Sequence, residues 1–183
     1  MFSFFKKSKI DTSTPIKFKE SILAKSATIS DLSDPTVFQA WSTRENSREY
    51  MQVLEELALR GNVPSQEFLA QFYVMAAARI TNEEARLAMS YKALKYEVLA
   101  AESGISTEAL NVPITALKLT AMVIEKNGQN FTSEAQSLVQ TAHKWHTLNS
   151  KNQSISASDR KRSAEEALRL KNAWPELDEQ LLA

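Results

Sequence analysis

The sequence predicts an all-α protein built of antiparallel helix pairs, stacked as a short right-handed solenoid or a compact helical bundle. Three observations predict it. Apolar residues recur at three- and four-residue spacing along most of the chain. The five prolines and three glycines fall at the ends of those periodic runs. No window shows sustained strand alternation bounded by hairpin signals.

Taken in order, Pro15 after Thr14 opens a helix over 15–27, and Pro35 after Asp34 opens one over 35–42. Ser42 with Glu45 fits a capping box ahead of 46–60, where Tyr50, Val53, Leu54, Leu57 and Ala58 share a face that stops at Gly61. Pro64 precedes Ser65 and a helix over 65–79 striped by Phe68, Phe72, Met75 and Ala76. Thr81 with Glu84 starts 82–103, striped by Leu87, Tyr91, Leu94, Val98 and Ala101 and closed by Gly104. Pro113, two residues after Asn111, opens 112–127, striped by Ile114, Leu117, Ala121 and Ile124 and stopped by Gly128. Ser133 with Gln136 caps 133–148, whose stripe is Ala135, Leu138, Ala142 and Trp145. The polar run 149–156 reads as a linker. Ser163 with Glu166 then caps 163–173, and Pro175 opens 175–182. The organisation expected is an N-terminal segment (1–34) with one helix, a helix-pair body (35–148), and a linker with C-terminal helices (149–183). Leu94 and Leu117 are expected core positions whose truncation costs about 2–5 kcal/mol.

The 183 residues are 43% hydrophobic and 24% charged, enough apolar content for a core. Twenty-two basic residues balance 22 acidic ones, so no net field draws the chain to nucleic acid or to an acidic membrane. There is no cysteine, which excludes disulfides, thiolate catalysis and cysteine-ligated metal. The start, Met1-Phe2-Ser3-Phe4-Phe5-Lys6-Lys7, has no apolar run of signal-peptide length, and nothing approaches the roughly 20 apolar residues that cross a bilayer. A cytoplasmic location without stable membrane insertion is expected.

An internal period is visible. Gly61 and Gly104 end similar helices 43 positions apart, and the next equivalent end falls at Asn149, which is expected to form the same left-handed cap. Leu69-Ala70-Gln71-Phe72-Tyr73 and Ala100-Ala101-Glu102-Ser103-Gly104, with Ala88, Tyr91 and Ala93 between them, resemble the Sel-like subclass of tetratricopeptide-like repeats. The likeness is good over 46–105 and poor over 106–149. Arg79-Ile80-Thr81-Asn82 replaces that family's glycine-rich turn, and the helices are longer. The resemblance implies a face, lined by the first helix of each pair, that binds peptides or proteins.

Local catalytic motifs are missing. His143 and His146 lie one helical turn apart without the HExxH pattern or a carboxylate at a neighbouring turn, so the pair reads as packing or surface residues, His146 bordering the core, and no metal or cofactor is expected. Three dispersed glycines cannot cradle phosphate. Glu55-Glu56 and Glu83-Glu84 read as solvated or dipole-offsetting acids, and Asp159-Arg160-Lys161-Arg162 as a solvated helix start. Most aromatics are expected in the core. Tyr73, Tyr96 and Arg79 fall off their helices' apolar stripes and are of the types that anchor interfaces, so they are the expected binding residues.

The expected function is a non-catalytic interaction module that recognises another protein, such as a toxin, an effector or a secretion component. Small cytosolic bacterial proteins resembling this group suggest three roles: immunity protein occluding a toxin, adaptor, or chaperone. The immunity role is the concrete expectation. An enzyme would need a polar cleft holding convergent titratable groups from distant positions.

Overall fold

The computed structural model describes residues 9–24, 27–42 and 44–175. Among them the chain forms nine helices and no strand: α1 (Pro15–Ala24), α2 (Ile29–Leu32), α3 (Pro35–Ala40), α4 (Arg44–Leu59), α5 (Val63–Arg79), α6 (Glu83–Glu102), α7 (Ser106–Lys126), α8 (Ser133–Lys151) and α9 (Ala157–Ala173). No helix of the described residues is long and apolar enough to cross a membrane. The expected helix over 175–182 lies almost wholly outside the described residues.

Glycine ends three of the long helices. Gly61 (φ +88°), Gly104 (φ +95°) and Gly128 (φ +64°) adopt the left-handed conformation. Each donates to the carbonyl three residues back, while the following N–H reaches five residues back: Asn62 to Leu57, Ile105 to Ala100 and Gln129 to Ile124, each at 2.9–3.0 Å. This double closure satisfies carbonyls that a helix end leaves free. The short connections that follow make successive helices antiparallel neighbours.

From α5 onward each helix packs on the one before it, and α4 also packs on α1. Grooves show the layering. α5 and α7 flank one groove over α6, and α7 and α9 flank another over α8. On the opposite side Leu59 of α4, Tyr91 of α6 and Trp145 of α8 border a third. The stack thus has one layer of α4, α6 and α8 and one of α5, α7 and α9.

Two apolar clusters fill it. The first joins α1–α3 to α4, α5 and α6 through Phe18, Leu32, Val37, Leu54, Leu69 and Tyr96. Its rings run in contact from Phe18 through Trp41, Phe68, Phe72 and Tyr73 to Tyr96. The second joins α6 to α7, α8 and α9 through Leu94, Leu119, Leu138 and Leu170. α6 serves both, which is why it is buried on two faces.

Several boundaries differ from the sequence reading. The cap of α6 is Asn82, one residue after the expected Thr81, and that of α8 is Thr132, one residue before the expected Ser133. Ser42 donates to the Gln39 carbonyl; the side chain of Glu45, its expected partner, lies outside the described residues. α9 begins at Ser156-x-x-Asp159, which forms a cap of its own, so Ser163 is a buried interior residue. The linker shrinks to 152–156 because α8 runs on to Lys151. Asn149 is therefore not a left-handed cap; it is buried inside α8. Pro113 does not open a helix either. It lies inside α7, which starts two turns earlier at Ser106.

Candidate functional site

The apolar stripe expected to bury α7 is not the one that does. The buried face is Ala109, Val112, Ala116, Leu119 and Val123. Ile114 is 46% exposed, Leu117 is half-buried and Ala121 is exposed. With Leu110 they form a second apolar stripe at helical spacing, and it lines a cleft of about 620 Å³. That volume lies in the range of ligand pockets.

α9 supplies the opposite wall. Asp159, Arg162, Ser163, Glu166 and Arg169 lie at three- and four-residue steps along one helix face. Asp159 accepts from the Ser156 hydroxyl at 2.5 Å and so belongs to the helix cap. Glu166 pairs with Arg169 at 2.9 Å. Arg162 on this wall and Lys118 on the α7 side form no ion pair among the described residues. Lys118 also borders the α5/α7 groove, so the two grooves adjoin.

His146 of α8 sits between the walls, with its Nδ1 sealed from solvent and without a hydrogen-bond partner. Burial pushes its pKa below 6.5, against the charge of Glu166, which favours the imidazolium. The ring is therefore neutral near pH 7. Ser163, His146 and Glu166 are all present, yet no hydrogen bond joins Ser163 to His146, and Glu166 is held by Arg169. His143 is also buried, and both histidines border the core. Among the described residues no group of three or more His, Asp or Glu side chains could hold a metal ion.

Comparison with protein-family models, curated proteins and solved structures gives no match for this chain.

Tyr73 and Tyr96 are not surface anchors. They are 4% and 2% exposed and stack on each other, ring centroids 5.8 Å apart and 12° from parallel. The α5 stretch Phe68-Leu69-Ala70-Gln71-Phe72-Tyr73 is apolar nearly all round, so its period is ambiguous. The buried face runs through Leu69, Tyr73 and Ala77, while Met75 is 49% exposed. Tyr96 lies on the second buried face of α6. The Tyr73 hydroxyl donates to Glu55, which Lys92 also reaches at 2.9 Å. Burial would raise the Glu55 pKa, but these two hydrogen bonds and the lysine charge bring it below its ordinary value. Burial pushes Tyr96 up to about 12. Arg79 is exposed on the last turn of α5, where a cation meets the negative end of the helix dipole.

The sequence reading missed two buried carboxylates, Glu97 and Glu108, at 1% and 2% exposure. Glu97 accepts from the Thr115 hydroxyl at 3.0 Å and Glu108 from Asn111 at 3.3 Å; each has a second oxygen with no partner. Burial raises the pKa of Glu97 to about 7, with the Thr115 hydrogen bond opposing and the charge of Glu108 adding to it. Burial raises Glu108 likewise. Their place in otherwise apolar helix faces was the only signal.

Proposed function

We propose that this chain is a non-catalytic module that binds another protein through the face formed by α5, α7 and α9. One observation carries the reading: Leu110, Ile114, Leu117 and Ala121 form an apolar stripe at helical spacing that the described residues leave open along the cleft. A helix that is apolar on two faces and buried on one has surface to give to a partner. Val74 and Met75 of α5, 44% and 49% exposed, add apolar area on the same layer.

A catalytic reading of this cleft would use His146, Ser163 and Glu166. The missing Ser163–His146 hydrogen bond and the Arg169 pairing of Glu166 favour binding over turnover. The resemblance to Sel-like repeats supports a peptide- or protein-binding face. The concrete form of this reading is an immunity-type protein that occludes the working surface of a toxin or effector; an adaptor or chaperone role would use the same face.

Tagged full-length protein purified from its native host at physiological salt tests the proposal. It predicts a stoichiometric protein partner that is lost on Ile114→Asp. A chain that elutes alone, with the groove accessible and the helical circular dichroism intact, contradicts it.

A further inference from the structure

Acidic side chains meet where α5, α6 and α7 join. Glu97 of α6 and Glu108 of α7 are 1% and 2% exposed, and each keeps one oxygen without a hydrogen-bond partner. The charge of Glu108 acts on Glu97, and that of the half-buried Glu67 of α5 acts on Glu108. Relief is partial. The Thr115 hydroxyl bonds Glu97, Asn111 and Gln71 bond Glu108, and the charge of the exposed Lys118 favours ionised Glu97. On the far side of α7, the buried residues of α8 include His143 and His146 but no carboxylate. α4 reaches this layer with Glu55, which Tyr73 and Lys92 hold. Two ionised carboxylates in one buried junction disfavour each other, so the packed form favours keeping a proton there.

The junction adjoins a weak point of the backbone. Glu108 and Asn111 precede Pro113, while Thr115 and Lys118 follow it. Pro113 lies inside α7 and has no N–H to bond the turn before it. Gly104, at φ +95°, ends the preceding helix. The two turns over 106–112 are thus bounded by a helix break on each side.

We propose that Glu97 and Glu108 form a proton-operated latch on α7, which holds the turns before Pro113 against α6 while the junction keeps a proton and releases them when both carboxylates are ionised. Movement at Pro113 gives Glu108 access to water at the cost of few backbone hydrogen bonds. Leu110 lies on these turns and Ile114 follows the hinge, so release also alters the α7 wall of the cleft. The latch belongs to the free chain and does not depend on the docking reading. In the open form both acids are hydrated and titrate near 4.5, whereas burial and the charge of Glu108 hold packed Glu97 at about 7. The packed form therefore holds the extra proton, and opening becomes easier as pH rises from about 4.5 to about 7, then levels off.

Hydrogen–deuterium exchange of the full-length protein at about pH 5.5 and about pH 8, corrected for the intrinsic pH dependence of exchange, tests the latch. Between the two, exchange over 106–115 should accelerate about tenfold more than exchange over 138–146 in the core of α8. Glu97→Gln with Glu108→Gln should abolish that excess, and Glu97→Gln alone, a single isosteric change, should remove most of it. Pro113→Ala, which restores the missing N–H, should reduce it several-fold. Equal acceleration over both segments would show that the acids lower only the global stability, and would overturn the proposal. So would an excess that survives the glutamine substitutions or that Pro113→Ala leaves untouched.

Discussion

The side-chain amide of Asn149 donates at 2.6 Å to the backbone carbonyl of Ala109, across the α7–α8 interface. Ala109 is four residues before Pro113, so this is the carbonyl that an N–H at position 113 would normally take. Proline has no N–H, and its ring crowds that carbonyl away from the helix axis. Asn149 fills the vacancy from the neighbouring helix. A proline in mid-helix is tolerated because a buried amide from another helix completes the backbone hydrogen bonding.

Asn149→Ala should therefore cost about 1–3 kcal/mol, because it strands a buried carbonyl. In a Pro113→Ala background the same change should cost much less, since alanine at that position restores the missing N–H. Denaturant unfolding of the four-member cycle measures the coupling. Additive effects would show that the two features are independent.

Glu97 predicts a pH effect. Its pKa is about 7 in the folded protein against an ordinary value of 4.5. Between those values the folded state holds a proton that the unfolded state has released, so stability falls as pH rises through this window. Glu97→Gln should raise stability by on the order of 2–3 kcal/mol at pH 8 and change it little at pH 4. Thermal melts at the two pH values check this. His146 acts in the other direction: its lowered pKa means the unfolded chain takes up the proton first, so stability falls as pH drops below 6.5.

The glycine caps can be tested one at a time. A Cβ at Gly104 would meet nothing within 4 Å, so the penalty is confined to the backbone at φ +95°. Gly104→Ala should cost about 1 kcal/mol, with the same outcome for Gly61→Ala. Urea midpoints at constant m-value measure it.

Leu119, fully buried, should lose about 2–5 kcal/mol on truncation to alanine. Leu117→Ala should lose under about 2 kcal/mol, because Leu117 is half-buried and borders the cleft. Equal losses in chemical denaturation would mean the cleft side of α7 is core after all.

What was legible in the sequence follows from how local each signal is. A glycine cap depends on one residue's backbone, and all three were placed correctly. The stripes of α4 and α8 were unambiguous because polar residues bound them on both sides. On α7 the apolar residues cover two faces, and only packing decides which is buried. The core face proved to be Val112, Ala116 and Leu119, leaving Ile114 and Leu117 at the cleft. The same ambiguity on α5 hid Tyr73 in the core. In the sequence Arg162 belongs to a solvated helix start, because its place opposite α7 exists only once α9 docks. The sequence predicts a cap at Asn149 because asparagine suits one. Its true role depends on Pro113 of the neighbouring helix, a relationship that no local pattern carries.

The proposed docking of a protein on the α5/α7/α9 face can be measured directly. The direct measurement is the affinity of the co-purified partner for three purified forms: wild type, Ile114→Asp and Leu59→Asp, the last on the opposite layer and 59% exposed. A loss of about a hundredfold or more is expected for Ile114→Asp, with near-wild-type affinity for Leu59→Asp. Undiminished binding by Ile114→Asp, or a loss confined to Leu59→Asp, would contradict it.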